Sequence, residues 1–380
     1  MLLSESRVII RLINSSFIHH VRDPIIDKSI RRKGRGAAFN PPNRFEKLRF
    51  EPLHVELDPD EAGRPIPTTF YRDTSRTILA KNDSPDVGFT YSMNPYRGCE
   101  HGCVYCYARP GHEYLGFSSG LDFETKIMVK ADAPELLDQA LKKRTWQPQT
   151  VCLSGDTDCY QPVERKLGIT RRCLEAFLKY RNPVGIITKN ALVTRDLDIL
   201  RELTALDLVI VMVSVTSLDA ELARVMEPRT ASPQKRLETI EALASNGIPV
   251  CVNVAPVIPG LTDEEMPSIL RAASEHGARF ATYIVLRLPY AVKDLFLDWL
   301  QRELPERAPK VVNRIKEVRG GDLNDSRWNV RMKGEGEYAK MLKELFVLNC
   351  RKYRLNDEEM KLSVEHFRGV PERQMEMFAP

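Results

Sequence analysis

The chain has 380 residues, 43% of them hydrophobic and 28% charged, with a net charge of +4 at neutral pH. This composition supports a large buried core and excludes a disordered chain, and no apolar run is long enough to cross a bilayer. Eight cysteines without a disulfide-like spacing, and no signal peptide, fit a reducing compartment, so the protein is read as cytoplasmic.

Residues 1–50 carry eleven Lys/Arg and four Asp/Glu, a local balance of +7 that leaves the remainder at −3. The apolar stretch Val8, Ile9, Ile10, Leu12, Ile13 is broken by Arg7 and Arg11 and is too short for a span. Arg31-Arg32-Lys33-Gly34-Arg35-Gly36 reads as a flexible basic arm, either a solvated leader or a strip that lies along nucleic-acid phosphates. From Asn40 to Asp86 the chain is rich in Pro, Arg and Asp without sustained periodicity, which predicts an irregular wrapping segment. Residues 1–85 are therefore one unit, a basic, Pro-rich arm.

From Gly88 short apolar runs alternate with helical stretches, the pattern of βα units on a parallel sheet. Strands are expected at Gly88–Met93, Thr150–Ser154, Val184–Thr188, Leu208–Val215, Pro249–Val254 and Arg279–Leu286. The fourth is a β-branched run of the kind buried on both faces. Helices are expected near Pro134–Lys142, Thr170–Tyr180, Pro233–Ser245 and Asp263–His276, the last with Thr262 as N-cap. The fold class is α/β, with these units spanning residues 86–300. Beyond Glu303 the pattern fades; Gly320-Gly321-Asp322 and Arg331 to Gly336 precede a helix near Ala339–Cys350, so residues 301–380 read as an extension or lid over the mouth. Trp328 and Tyr338 in this stretch read as core residues, with stacking on a base as the alternative.

Chemistry concentrates between Asn94 and Pro110, where Cys99, Cys103 and Cys106 fall within eight residues. Three thiolates can hold an iron–sulfur cubane and leave one iron open, or form a zinc knot with His101 or His112 as fourth ligand. Structural zinc sites usually pair two Cys-x2-Cys hooks. The other cysteines, Cys152, Cys159, Cys173, Cys251 and Cys350, are scattered, which favours the cluster and leaves His101 a solvated loop residue. In parallel α/β architectures ligands sit beyond the carboxyl ends of strands. The polar stretch Ser154-Gly155-Asp156-Thr157-Asp158-Cys159, the strand-end Lys189 and the hydroxyls Ser214, Thr216 and Ser217 are candidates on that ground. Local backbone bonding or helix capping accounts for several of them equally well.

The spacing Cys-x3-Cys-x2-Cys, with Tyr105 directly before the third cysteine, resembles the signature of the radical S-adenosylmethionine (radical SAM) superfamily. The resemblance covers about residues 86–300 and implies a partial (βα)6 barrel, a [4Fe–4S] cluster on Cys99, Cys103 and Cys106, and SAM on the open iron. It further implies reductive cleavage of SAM to a 5′-deoxyadenosyl radical that takes a hydrogen atom from a substrate. By position, Tyr105, Ser154, Asp156, Lys189 and Ser214 would contact SAM; Asp156 stands where the family has Gly-Gly-Glu, without the glycine pair. Asn253–Gly260 resembles the apolar segment against the adenine, and backbone at Leu286–Pro289 would meet the base edge. Cys-x-Ser after the second strand, with Lys189 and Ser214, is similar to the spore photoproduct lyase group, which includes bacterial members without an assigned reaction. That resemblance makes Cys152 the hydrogen-atom donor, with Cys159 a rival nearer the barrel mouth, and implies damaged DNA as substrate and a reductant such as flavodoxin or ferredoxin. RNA, peptide or metabolite modification, or a non-catalytic metal-binding module, are the alternatives.

Overall fold

A computed structural model describes residues 34–45 and 66–369. The first two strands, β1 (Thr69–Arg72) and β2 (Leu79–Lys81), lie inside the stretch read as irregular. The run Thr-Phe-Tyr-Arg of β1 is β-prone but exposed along its whole length, so no alternation betrays it. Strands β3 (Tyr91–Met93) and β4 (Tyr96–Arg97) lead into the cysteine loop; α1 (Leu121–Thr125), β5 (Lys126–Val129) and α2 (Ala133–Leu141) follow. β1 pairs in parallel with β5, and β4 pairs antiparallel with it, as a small accessory sheet.

The main body continues with β6 (Val151–Leu153), α3 (Glu164–Leu167), α4 (Ile169–Tyr180), β7 (Val184–Thr188), α5 (Leu197–Thr204) and β8 (Val209–Ser214). Next come α6 (Ala220–Met226), α7 (Pro233–Ser245), β9 (Val250–Val257), α8 (Met266–Glu275) and β10 (Phe280–Val285). The sheet runs β10-β9-β8-β7-β6-β3-β2, parallel throughout except for the antiparallel edge pair β2–β3. Each of the six expected strands is present, and β3, β6, β7, β8, β9 and β10 form the partial barrel. β8 is apolar along both faces because helices cover one and the barrel interior the other; Val209, Val211 and Val213 are at most 1% exposed. Helix residues such as Leu137, Phe177, Leu200, Ile240 and Ile269 complete that core.

α9 (Val292–Glu303), α10 (Ala308–Val318) and α11 (Gly336–Lys352) close the chain. α9 and α10 were not anticipated as a pair, and their role is specific: Phe296, Trp299, Val311 and Ile315 pack with Val104, Tyr105 and Leu286 in a second core beneath the cysteine loop. Trp299 Nε1 donates to the Val225 carbonyl at 3.0 Å. The stretch after α10 runs along the β10 edge, where Val285 N donates to Met332 O at 2.8 Å. It also latches onto the β2–β3 loop, with Arg331 Nε 2.5 Å from Asp86 Oδ2 and Asn329 N 2.6 Å from Asp86 Oδ1. The two edges of the open sheet are thereby bridged.

Three expectations are corrected here. Gly34–Gly36 is not a free arm: Gly36, Ala37 and Ala38 are buried, and Arg35 donates to the carbonyls of Glu124 (2.9 Å) and Ile66 (2.7 Å). Arg31–Lys33, the apolar stretch Val8–Ile13, and Pro52, Pro59 and Pro65 lie outside the described residues. Thr262 does not cap a helix; its hydroxyl accepts from Ile258 N at 3.0 Å, and a 3-10 turn, Asp263–Glu265, precedes α8. Trp328 is 54% exposed rather than core, whereas Tyr338 is half-buried and donates to Asp263.

Candidate functional site

The cysteine loop is shaped by glycines. Gly98 has φ +78° and an added Cβ would lie 2.9 Å from Phe123 O, so the turn that delivers Cys99 admits no side chain there. Cys99 and Cys103 are buried and Cys106 half-buried. Cys99 N donates to Phe123 O at 2.9 Å and Val104 N to Met226 O at 3.1 Å, which ties the loop to α1 on one side and to the end of α6 on the other.

A buried ion pair braces the same loop. Arg109, fully buried, donates to Cys103 O from Nε at 3.0 Å and Nη2 at 2.8 Å, and pairs with Glu124 Oε1 at 2.5 Å. Glu124 also accepts from Gly36 N (3.1 Å) and Ala37 N (2.8 Å), so residues 34–38 form a strap across the loop. Opposite, Arg229 N donates to His101 O at 3.2 Å and Arg229 Nη2 meets Glu100 Oε1 at 3.1 Å.

Burial pushes the thiols of Cys99, Cys103 and Cys106 up, while Arg109 and Lys189 pull Cys106 back down. Such thiols ionise on binding a metal, and three of them on one braced loop with cations beside it fit an iron–sulfur cluster. Among the described residues no three Cys, His, Asp or Glu side chains gather where a single ion could be held. His101 is not solvated; it is 2% exposed, its Nδ1 3.4 Å from Asp158 Oδ2 and its Nε2 3.2 Å from Asn190 Nδ2, and burial lowers it to about 4. His112 is buried between Phe117 and Phe123, stacked on the first at 5.3 Å.

Behind Tyr105 lies a second buried network centred on Glu227. Its carboxylate accepts from the Tyr105 hydroxyl, from Thr216 Oγ1 at 2.8 Å and from Arg236, and lies 3.1 Å from Lys189 Nζ. Lys189 Nζ also donates to Thr216 Oγ1 (3.0 Å) and Ala255 O (2.9 Å). Its three N–H groups are thus occupied, and burial lowers it to about 7. Burial raises Glu227, with Arg236 opposing.

At the end of β6, Cys152 is 4% exposed and its thiol donates to Ser154 O at 3.0 Å. Burial, then Asp156, pushes this thiol up to about 12. Ser154 has φ +80°, a strained value for a residue with a side chain, and its hydroxyl accepts from Cys159 N at 2.8 Å. Asn94 Oδ1 holds the following turn by accepting from Gly155 N (2.9 Å) and Asp156 N (3.2 Å). Asp156 faces Lys130 and Arg97, and Tyr107, 45% exposed, donates to Gly155 O. Tyr107 lies in the electrostatic field of Asp156, Cys106, Arg287 and Cys152, and the Arg287 guanidinium sits 5.1 Å from the centroid of its ring. Ser214, at the end of β8, is buried; its carbonyl accepts from Arg236 Nη1 at 3.0 Å, and its hydroxyl accepts from Asn253 Nδ2 at 3.4 Å.

The structure therefore brings Cys99, Cys103, Cys106, Tyr105, Lys189, Cys152, Ser154 and Asp156 to one end of the sheet. Cys159 is not nearer the mouth; it is 0% exposed in the main core, because its backbone folds back under Ser154. Sequence reasoning missed Arg109, Glu124, Glu227 and Tyr107. Only Tyr107 carried a signal, its place beside Cys106; the other three act through contacts 15 to 122 residues apart in the chain, in the pairs Arg109–Glu124 and Tyr105–Glu227.

Residues 93–273 match the family model of the radical SAM superfamily. The chain is 36% identical over 292 residues to uncharacterized protein Rv2578c of Mycobacterium tuberculosis, covering 76% of this chain and 82% of that one. It is 29% identical over 184 residues to uncharacterized protein MJ0683 of Methanocaldococcus jannaschii, covering 48% and 66%. Among solved structures it superposes on spore photoproduct lyase complexed with dinucleoside spore photoproduct with a TM-score of 0.55 at 18% identity, covering 81% of this chain and 85% of that one. A variant of the lyase with bound AdoMet and dinucleoside spore photoproduct gives 0.53 at 17% identity over the same shares. At that identity the likeness shows the fold. With the motif, the barrel and these matches together, the chain belongs to the radical SAM superfamily.

Proposed function

We propose that this protein is an enzyme that carries a [4Fe–4S] cluster on Cys99, Cys103 and Cys106 and cleaves SAM reductively to start radical chemistry on a substrate held at the mouth. The observation that carries this reading is the braced loop, which sets three thiols beside Tyr105, Lys189 and the β6 end. When bound, the cluster and SAM supply the 5′-deoxyadenosyl radical.

The chain's own groups do the rest. Ser154 accepts Cys159 N–H, which leaves its own hydrogen free to donate to the methionine end of SAM. Ser214, whose hydroxyl makes only a 3.4 Å contact among the described residues, would offer a second hydroxyl to SAM. Lys189 has its donors occupied and so, when protonated, would attract the SAM carboxylate as a nearby charge rather than by a direct bond. Tyr105 is fixed by its hydrogen bond to Glu227, and Asp156, in the turn after β6, would hold the SAM amine. Cys152 stays an intact thiol at neutral pH, as a hydrogen-atom donor requires: its S–H bond breaks, a C–H bond forms on the product radical, and the sulfur is restored by one electron and one proton from a flavodoxin- or ferredoxin-type reductant. The lyase-like fold makes lesion-bearing DNA the first substrate to try, ahead of RNA, peptides or metabolites. Cytoplasmic reductants suit this assignment, and no helix among the described residues is long and apolar enough to cross a membrane.

The test is anaerobic reconstitution with iron and sulfide, reduction, and measurement of 5′-deoxyadenosine from SAM. Formation that is lost in Cys99→Ala, Cys103→Ala and Cys106→Ala supports the assignment. A full, spectroscopically intact cluster that leaves SAM uncleaved overturns it in favour of a metal-binding module.

A further inference from the structure

His101 is buried between two of the three clustered cysteines, after Cys99 and before Cys103, and its neighbours fix its tautomer. Asn190 caps the 3-10 turn Ala191–Asp196: its Oδ1 accepts from Leu192 N at 3.0 Å, so its Nδ2 is the atom that meets His101 Nε2 at 3.2 Å. An amide N–H can only donate. His101 Nε2 is therefore the acceptor, and the single ring proton sits on Nδ1, which lies 3.4 Å from Asp158 Oδ2.

Asp158 is itself anchored, since its carboxylate accepts from Thr188 Oγ1 (2.8 Å), Lys189 N (2.7 Å) and Tyr160 N (2.8 Å). The turn after β6 reaches the cysteine loop at further points. Gln161 accepts from Glu100 N at 2.9 Å and donates to Gly98 O at 3.2 Å, and Val163 N donates to Glu100 Oε2 at 2.8 Å. Residues 98–101 are thus gripped by this turn, with the backbone N–H groups of Asp158 and His101 beside the Cys99 thiol. Hydrogen bonds to ligand sulfurs are among the levers that set the potential of an iron–sulfur cluster, because they favour its more negative, reduced state.

We propose that His101, held in its Nδ1–H form by Asn190 and facing Asp158, is a positioning residue for the cluster: it locks the segment between Cys99 and Cys103 to the turn after β6 and so raises the cluster's reduction potential. Its Nε2 is taken by Asn190 and serves no metal. The inference rests on the [4Fe–4S] reading and adds a residue outside the three thiols to it.

The test poises the reconstituted protein at a series of solution potentials and counts reduced cluster by electron paramagnetic resonance, with iron measured in parallel. In His101→Phe, which keeps a ring without a donor, the ratio of reduced to oxidised cluster at the wild-type midpoint should fall about threefold or more. His101→Asn sets an amide nitrogen near the place of Nδ1 and should restore the ratio to within about twofold. A wild-type ratio in His101→Phe overturns the proposal, as does a ratio in His101→Asn no better than in His101→Phe. Should His101→Phe hold no iron, retention by His101→Asn with the restored ratio supports the donor role, whereas loss from both overturns it and makes the imidazole a ligand. A wild type without a [4Fe–4S] signal defeats the reading beneath the inference and the inference with it; a wild type with that signal and unresponsive variants defeats the inference alone.

Discussion

Arg109 gives two of its hydrogen bonds to one carbonyl, that of Cys103, while its remaining charge is met by Glu124. Both side chains are fully buried, so neither can fall back on water. Arg109→Met should leave the Glu124 carboxylate uncompensated and cost about 3–5 kcal/mol in urea unfolding. Adding Glu124→Gln to that variant should recover part of the loss, since the amide oxygen still accepts from the strap; no recovery would mean that the carbonyl of Cys103 is the larger debt.

Gly36→Ala should dislodge the strap. The new Cβ would lie 1.9 Å from Gly102 O, a backbone atom that cannot step aside without moving the cysteine loop. Faster hydrogen exchange over residues 34–41, and more rapid loss of iron in air from the reconstituted protein, are the expected readouts. Unchanged exchange would show that the loop, not the strap, yields.

Glu227→Gln keeps the shape of the hub and removes its charge. Lys189 and Arg236 would then be buried cations without a counterion, and a loss of about 3 kcal/mol or more in chemical denaturation is expected. SAM affinity should fall with it, because Tyr105 loses its strongest acceptor. Equilibrium binding of SAM to the reconstituted variant checks this.

Lys333 offers a pH test remote from the site. Its ammonium lies 3.6 Å from the Tyr283 ring centroid and donates to Tyr283 O, and burial lowers its folded pKa from 10.5 to about 8. The unfolded chain therefore holds this proton more tightly, and the penalty is fully present below pH 8 and relieved as pH climbs towards 10.5. Lys333→Met should gain stability over wild type by up to about 3 kcal/mol at pH 7, and the gain should shrink on going to pH 10. Parallel urea curves for the two proteins cancel the other titrations; a pH-independent difference would place the effect in packing.

The parts of the fold that could be read from the chain are those whose burial is continuous. Strands such as Val184–Thr188 and Val209–Ser214 show as apolar runs because both faces are covered, and the cysteine spacing is local by nature. β1 could not be read, since an exposed strand carries no alternation. The strap was misread for the opposite reason: Arg35 and Gly36 look like a solvated arm, yet each hydrogen-bonds a helix 88 to 89 residues away. Within the site, Lys189 was placed by its strand end, but its saturation by Thr216, Ala255 and Glu227 is a property of three other elements. Charge alone cannot announce such saturation.

The latch between Asp86 and Arg331 joins residues 245 apart in the chain. The βα units that it spans can assemble from neighbours in sequence, whereas this contact asks for closure of nearly the whole described length. A polypeptide ending shortly before Arg331 would retain the parallel sheet and the cysteine loop and still lack a joined rim around Tyr107 and Arg287. Completion of that rim thus depends on residues that follow the last strand of the sheet, not on the βα units themselves.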